Sequence, residues 1–208
     1  MLHDSLLLLP FIFTGIHSYL LENTLTIKNI LMLTIPSLYT ADLFSGIYHI
    51  LSDNYFGNIE PLKAISIDSR HHHKDPGAMI HAPVKGAFKE AIFNNIPLYL
   101  LSLTLSGPYP LISIFANMTA NFGLFAQYSH RLSHMRSHNI YLSYPIKKMQ
   151  DMHIILNPHI HHYHHKGYDE NFAVLNGWSV PVSNLLFKFL QKTHYLYKPL
   201  GFDFSSAH

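Results

Sequence analysis

The sequence predicts an all-α integral membrane protein with about four transmembrane helices and a histidine-rich helical cap on the cytoplasmic side. Three observations carry that expectation. Only 12% of the 208 residues are charged while 48% are hydrophobic, which is little charge for a soluble chain. The apolar residues gather into runs of membrane-spanning length. Eighteen histidines, with no cysteine beside them, cluster next to those runs.

The first run, Leu6–Leu21, contains no Asp, Glu, Lys or Arg. Asp4 precedes it and the first basic residue is Lys28, so the basic region of a signal peptide is missing and the run reads as a retained membrane helix. Asn29–Leu51 holds one ionised residue, Asp42. Ala91 to His130 holds none. That stretch is too long for one span of about 20 residues, and Ser-Gly-Pro-Tyr-Pro at 106–110 is a strong turn signal. It divides the stretch into helices at about 91–106 and 111–130. Pro36 and Pro97 should bend their helices, which membrane helices tolerate. Phe93, Tyr99, Tyr109 and Phe115 read as aromatic membrane core rather than as the lining of a cavity. Residues 141–157 mix apolar and charged positions as an interfacial helix does. One domain over 1–208 is expected from the length. A soluble helical protein is disfavoured, because four such runs leave little polar surface to cover them.

Charge then orients the chain. The 53–90 loop carries Lys63, Arg70, Lys74, Lys85 and Lys89. The segment after 130 carries Arg131, Arg136, Lys147, Lys148, Lys166, Lys188, Lys192 and Lys198. Four spans place this loop and this tail on one face, and the other face keeps only Lys28. The positive-inside rule puts the basic face, with nearly every clustered histidine, in the cytoplasm. The net charge of +2, without a basic stripe interleaved with aromatics, excludes a nucleic-acid partner. The absence of cysteine excludes disulfides, thiolate zinc sites and cysteine-ligated iron–sulfur clusters.

The histidine spacings carry chemistry. The clusters are His71-His72-His73, His130 with His134, and the run from His159 to His165, with His49 standing apart. His130 and His134 share a helix face at i, i+4, and His161, His164 and His165 offer nitrogens from one turn. Adjacent helical residues diverge by about 100°, so the pairs His72-His73 and His164-His165 can each serve two metals. Eight or more imidazoles exceed the four ligands of a structural zinc and the three of a catalytic one; they suit two metals with open positions. Imidazole takes iron, zinc or copper, so the donor set leaves the metal unnamed. Asp42, His49 and Asp53, at i, i+7 and i+11, lie on one helix face. An acid near hydrocarbon needs a partner; orienting a ligand histidine and a helix-packing hydrogen bond both provide one.

Together the ordered pieces Asp42-Leu-Phe-Ser-Gly-Ile-Tyr-His49, His72-His73-Lys-Asp75-Pro76, His130-Arg-Leu-Ser-His134, Gln150-Asp151-Met-His153 and His161-His-Tyr-His164-His165, followed by Glu170-Asn-Phe172 and Asn176-Gly177-Trp178, resemble the Kua/CarF-like lipid desaturase family. That family includes plasmanylethanolamine desaturase and plant plastid palmitate desaturase. The resemblance runs from about 38 to 180. It implies a membrane-bound di-iron oxidoreductase that uses O2 as co-substrate to remove two hydrogens from an acyl or alkyl chain of a membrane lipid. It implies two Fe ions cycling between Fe2+ and Fe3+, held by His49, His72, His73, His130, His134, His161, His164 and His165. His153 matches a family histidine as a ligand or a support, and His81 matches only across a one-residue gap. Asp42, Asp53, Asp75 and Glu170 are the implied supports behind the ligands. His71, His159 and His162 fall off the family positions and read as solvated; so, more strongly, do His3, His17, His138, His194 and His208. No flavin, nicotinamide or haem motif is visible, so the resemblance implies an external electron donor, a cytochrome b5-type carrier or a ferredoxin. The chain departs from the plasmanylethanolamine branch at Ala82-Pro-Val-Lys-Gly-Ala-Phe-Lys-Glu90, which is basic where that branch is acidic. A vinyl-ether product is therefore not expected from the resemblance.

Two other functions fit the same residues. A lipid hydroxylase on the same scaffold would rebind oxygen instead of losing the second hydrogen. A His-rich membrane metal-binding or transport protein should place polar ligands through the membrane, and three of the four runs are nearly free of them.

Overall fold

The computed structural model describes residues 5–192, which fold entirely into helices and connecting turns, with no strand among the described residues. His3, His194, Lys198 and His208 lie outside them. The α-helices are α1 (Leu9–Leu20), α2 (Ile27–Asn54), α3 (Lys63–Lys74), α4 (Pro76–His81), α5 (Val84–Leu105), α6 (Pro110–Gly123), α7 (Ala126–Ser137), α8 (Tyr144–Asp151), α9 (Pro158–Gly167) and α10 (Val180–Lys192). The chain divides into two compact units: residues up to Asp42 with Pro83–Tyr128, and Leu43–Ala82 with Ser129 onward.

The first unit holds α1, the first part of α2, α5 and α6. Its outer surface is apolar: Phe11, Tyr19, Leu31, Ile35, Phe93 and Ile112 are exposed. Its interior is partly polar, with His17, Ser37, Asp42, Ser102, Ser113, Asn117 and Thr119 buried. Tyr99 is fully buried and stacks on Phe13 at 5.2 Å, whereas Phe93 and Tyr109 face outward. The 106–110 turn is present, with Pro110 in the first turn of α6, where a missing N–H does no harm. Pro36 and Pro97 sit inside α2 and α5.

Three boundaries differ from the sequence expectation. Helix α5 starts at Val84 rather than near 91, so Lys85, Lys89 and Glu90 form its first turns. The helix expected over 111–130 stops at Gly123. The Phe125 N–H turns back to Phe122 O at 3.1 Å, and α7 begins afresh at Ala126. Gly123 marks a close approach: a Cβ there would lie 2.6 Å from Asn95 Oδ1. Among the described residues one helix, Ile27–Asn54, is long and apolar enough to cross a membrane, and Leu6–Leu20 is a shorter apolar helix. Helices of that shorter length reach about 20 Å at 1.5 Å per residue, less than the roughly 30 Å of a hydrocarbon core. The interfacial helix expected over 141–157 is confined to Tyr144–Asp151, but Tyr141, Tyr144, Met152 and Ile154 around it are exposed.

The second unit holds the end of α2, α3, α4, most of α7, and α8 to α10. Ile50, Phe172 and Phe187 form its apolar core. The 171–175 segment is drawn onto α2 at Gly46, where a Cβ would sit 3.2 Å from Ala173 N, and the Val174 N–H donates to Ser45 Oγ at 3.0 Å. On the other side, the Arg131 guanidinium donates to the carbonyls of Ile80 and Ala82, which satisfies the end of α4.

Candidate metal centre

Four short stretches of helix in the second unit aim their histidines inward. Helix α2 supplies His49 and Asp53, one turn apart. Helix α3 supplies His72 and His73, and α7 supplies His130 and His134. Helix α9 is built to present three more. Asn157 caps it by accepting the His159 N–H at 2.9 Å, Pro158 opens it, and Tyr168 closes it in the left-handed conformation (φ 59°) with its N–H on His164 O at 2.7 Å. His161, His164 and His165 therefore occupy one short, doubly capped helix.

Nine donors from these stretches fall into two groups. His72, His130, His134, His161 and His165 form the first; His49, Asp53, His73 and His164 form the second; within each, the donor atoms lie within 4.8 Å of one another. The adjacent pairs His72-His73 and His164-His165 each divide between the groups, as helical divergence requires.

The first group has a geometry that hydrogen bonding cannot satisfy. The Nε2 atoms of His130, His134 and His161 are mutually 2.7, 3.0 and 3.1 Å apart, and His165 Nε2 is 2.9 Å from His161 Nε2. An imidazole nitrogen has one in-plane valence: it carries either a proton or a lone pair. Among three mutually touching nitrogens at least two must be alike, and like nitrogens repel. A cation that accepts lone pairs from all of them removes the conflict. Nitrogens about 2.1 Å from one metal and at right angles are about 3 Å from one another, the spacing found here. Burial, and then the neighbouring imidazoles, hold His72, His161 and His165 well below the ordinary imidazole range and push His134 down to about 3. Neutral imidazole is the form that binds metal.

In the second group Asp53 Oδ2 lies 3.1 Å from His73 Nε2, 3.4 Å from His49 Nε2 and 3.6 Å from His164 Nε2. Backbone carbonyls fix the rings. His49 Nδ1 donates to Phe172 O at 3.0 Å, His164 Nδ1 to Glu170 O at 2.7 Å and, in the first group, His72 Nδ1 to Ser69 O at 2.9 Å. With Nδ1 protonated, each Nε2 presents its lone pair, and the Nε2 atoms of His49, His72 and His164 are buried without a hydrogen bond. Donor chemistry, spacing and these orphaned nitrogens all fit metal ions.

The remaining candidates are placed elsewhere. His153 and His81 are exposed and belong to neither group. Asp42 is fully buried within the first unit, outside both groups. Asp75 is exposed. Glu170 supports His164 through its main-chain oxygen while its residue faces outward. Asp53, expected behind a ligand, stands among the donors. His71, His159 and His162 are exposed; His138 donates to His134 O at 2.9 Å, and His17 is buried on Ser113 Oγ at 2.8 Å in the first unit. Ser69 is absent from the sequence-derived candidates, because a serine in a helix carries no signal of its own.

Among the described residues, an all-helical frame carries two buried, histidine-rich donor groups, each of which could hold a metal ion. The chain belongs to the lipid desaturase family, whose domain model matches residues 38–196. Two similar proteins are known from Arabidopsis thaliana. Fatty acid desaturase 4-like 2, chloroplastic, is 31% identical over 146 residues, 66% of this chain and 49% of the relative. Fatty acid desaturase 4-like 1, chloroplastic, is 31% identical over 158 residues, 73% of this chain and 52% of the relative. The chain thus spans about half the length of the curated relatives it matches. No solved structure matches it significantly.

Proposed function

We propose that this chain is a membrane-embedded, O2-dependent di-iron desaturase that introduces a double bond into an acyl or alkyl chain of a membrane lipid. The observation that carries the reading is the pair of buried donor groups joined through His72-His73 and His164-His165. Family membership supplies the substrate class. Bound there, two iron ions would supply the O2 activation and oxidising power that an unactivated C–H pair demands. The stoichiometry closes when two electrons from the lipid and two from an outside carrier reduce O2 to two waters. A cytochrome b5-type protein or a ferredoxin has the right chemistry for that carrier.

The chain's residues have distinct tasks in this reading. His72, His130, His134, His161 and His165 would hold one ion, and His49, His73, His164 and Asp53 the other. The Asp53 carboxylate offsets part of the positive charge that neutral imidazoles leave uncompensated. Carbonyls of Ser69, Glu170 and Phe172 hold the ring tautomers. The Phe172 ring, 4.9 Å from His164 and 6.0 Å from His49, shields the second group from water. The apolar exterior of the first unit supports burial in lipid: of the four helices read as membrane helices of one functional domain, α2 and α5 are long enough to span it and the shorter α1 and α6 are embedded without spanning alone. The distribution of Lys and Arg supports a cytoplasmic face for the histidines.

Mass spectrometry of lipids from cells making the wild type or a His164→Ala/His165→Ala variant tests the proposal. A lipid lighter by two hydrogens, seen only with the wild type, is the expected result. A gain of one oxygen would assign a hydroxylase instead. No difference, with metal and an electron donor supplied, would overturn the enzyme reading in favour of metal handling.

A further inference from the structure

The two donor groups are chemically unequal, because only one contains a carboxylate. What turns that carboxylate inward is visible in the contacts of Ser69. Its hydroxyl donates to Asp53 Oδ1 at 2.5 Å, the short range of an O–H on a carboxylate. That leaves Oδ2 as the oxygen facing His49, His73 and His164. Ser52 backs the arrangement: its Oγ lies 3.1 Å from Ser69 Oγ and 3.0 Å from His49 O. Arg70, the next residue, grips the Asp53 main-chain oxygen through Nε at 3.0 Å and Nη2 at 2.6 Å. The backbone of Asp53 is therefore held by one residue and its carboxylate by the neighbour.

Ser69 also touches the other group, through different atoms. Its carbonyl accepts from His72 Nδ1 at 2.9 Å. One residue thus braces both groups, the carboxylate group with its side chain and the all-histidine group with its main chain. A side-chain substitution separates the two roles.

We propose that Ser69 is a positioning residue that holds Asp53 as a one-oxygen donor to the His49–His73–His164 group and so keeps the two metal sites distinct. This rests on the metal-centre reading above. The hydroxyl anchors Oδ1, so Asp53 presents Oδ2 to the imidazoles of its group. Without the hydroxyl the carboxylate is free to rotate, and its group loses both affinity and its definite donor set.

The test is cobalt(II) titration of the full-length, metal-free protein in detergent, followed by visible absorption, with the wild type compared against Ser69→Ala, Ser69→Thr and Asp53→Asn. The wild type should take up two equivalents with distinguishable bands. Ser69→Ala should bind one as the wild type does and the other about 10- to 100-fold more weakly, the usual effect of removing a partner behind a ligand. The weakened equivalent should be the one lost in Asp53→Asn, and Ser69→Thr should restore it. Unchanged binding by Ser69→Ala, equal weakening of both equivalents, or failure of the threonine variant to rescue would each overturn the proposal. A wild type that binds no cobalt would instead overturn the metal-centre reading beneath it.

Discussion

The two units bury polar atoms to opposite ends. In the first, the polar interior largely closes on itself, with Asn117 Nδ2 left without a partner. Tyr99 donates to Asn121 Oδ1 at 3.0 Å, the Asn121 amide donates to Asn117 Oδ1 at 2.8 Å, and Ser113 donates to Ser102 O at 2.5 Å while accepting from His17. In the second, the nitrogens face one another with too few protons to go round. A buried polar group that finds its partner is packing; a set of buried groups that share one unmet need is a binding site. The histidine content of the chain marks neither by itself, since His17 is as buried as His134.

That contrast can be broken most forcefully by removing metal. An ion held at about 1,000 times its Kd adds about 4 kcal/mol to stability, so a chelator should lower the thermal midpoint of the loaded protein sharply, and re-addition of metal should restore it. A midpoint indifferent to the chelator would make the second unit another self-satisfied core. Next in size, His161→Ala removes the nitrogen that touches His130, His134 and His165. Product formation should fall by more than the roughly 100-fold expected of a residue behind a ligand, with elemental analysis showing one ion lost.

A smaller effect is the acid sensitivity of the metal-free protein. His72, His134, His161 and His165 are buried in the neutral form, whereas their unfolded counterparts take up protons near pH 6.5. The unfolded state binds more protons below that value, so the stability these groups contribute is complete above about pH 6.5 and is lost as pH falls toward the folded values, about 3 for His134. Denaturant midpoints measured in chelator from about pH 8 to about pH 5 should decline, and a flat profile would contradict buried neutral imidazoles. The smallest expected change is Tyr99→Phe in the first unit. Loss of its bond to Asn121 should cost about 1 kcal/mol, with metal content and product unchanged.

Much of this is legible in the sequence, for reasons that differ by feature. Apolar runs and the 106–110 turn depend on local composition, so helices α1, α2, α5 and α6 can be located from residue order. The stop at Gly123 cannot, because the residues on either side remain uncharged to His130 and the contact with Asn95 is tertiary. The charged first turns of α5 are hidden for the converse reason: composition ends the apolar run at 91 although the backbone does not. At the site, residue type and spacing announce the imidazoles, since i, i+3 and i+4 are fixed by the helix. What holds them is less visible. Glu170 acts through a carbonyl that any residue possesses, and Ser69 has no pattern around it. His153 matches a family histidine within Gln150-Asp151-Met-His153, yet it sits exposed at φ 55°, beyond the end of α8.

The divided pairs His72-His73 and His164-His165 have a mechanical consequence. Consecutive Cα atoms are about 3.8 Å apart across a trans peptide, and here two such links, on two helices, run from one donor group to the other. The chain acts as a pair of fixed rulers. The groups cannot drift apart without unwinding α3 or α9, and a shift in one ring is handed to its neighbour on the other group through a single peptide unit. Two ions seated there would keep a set separation.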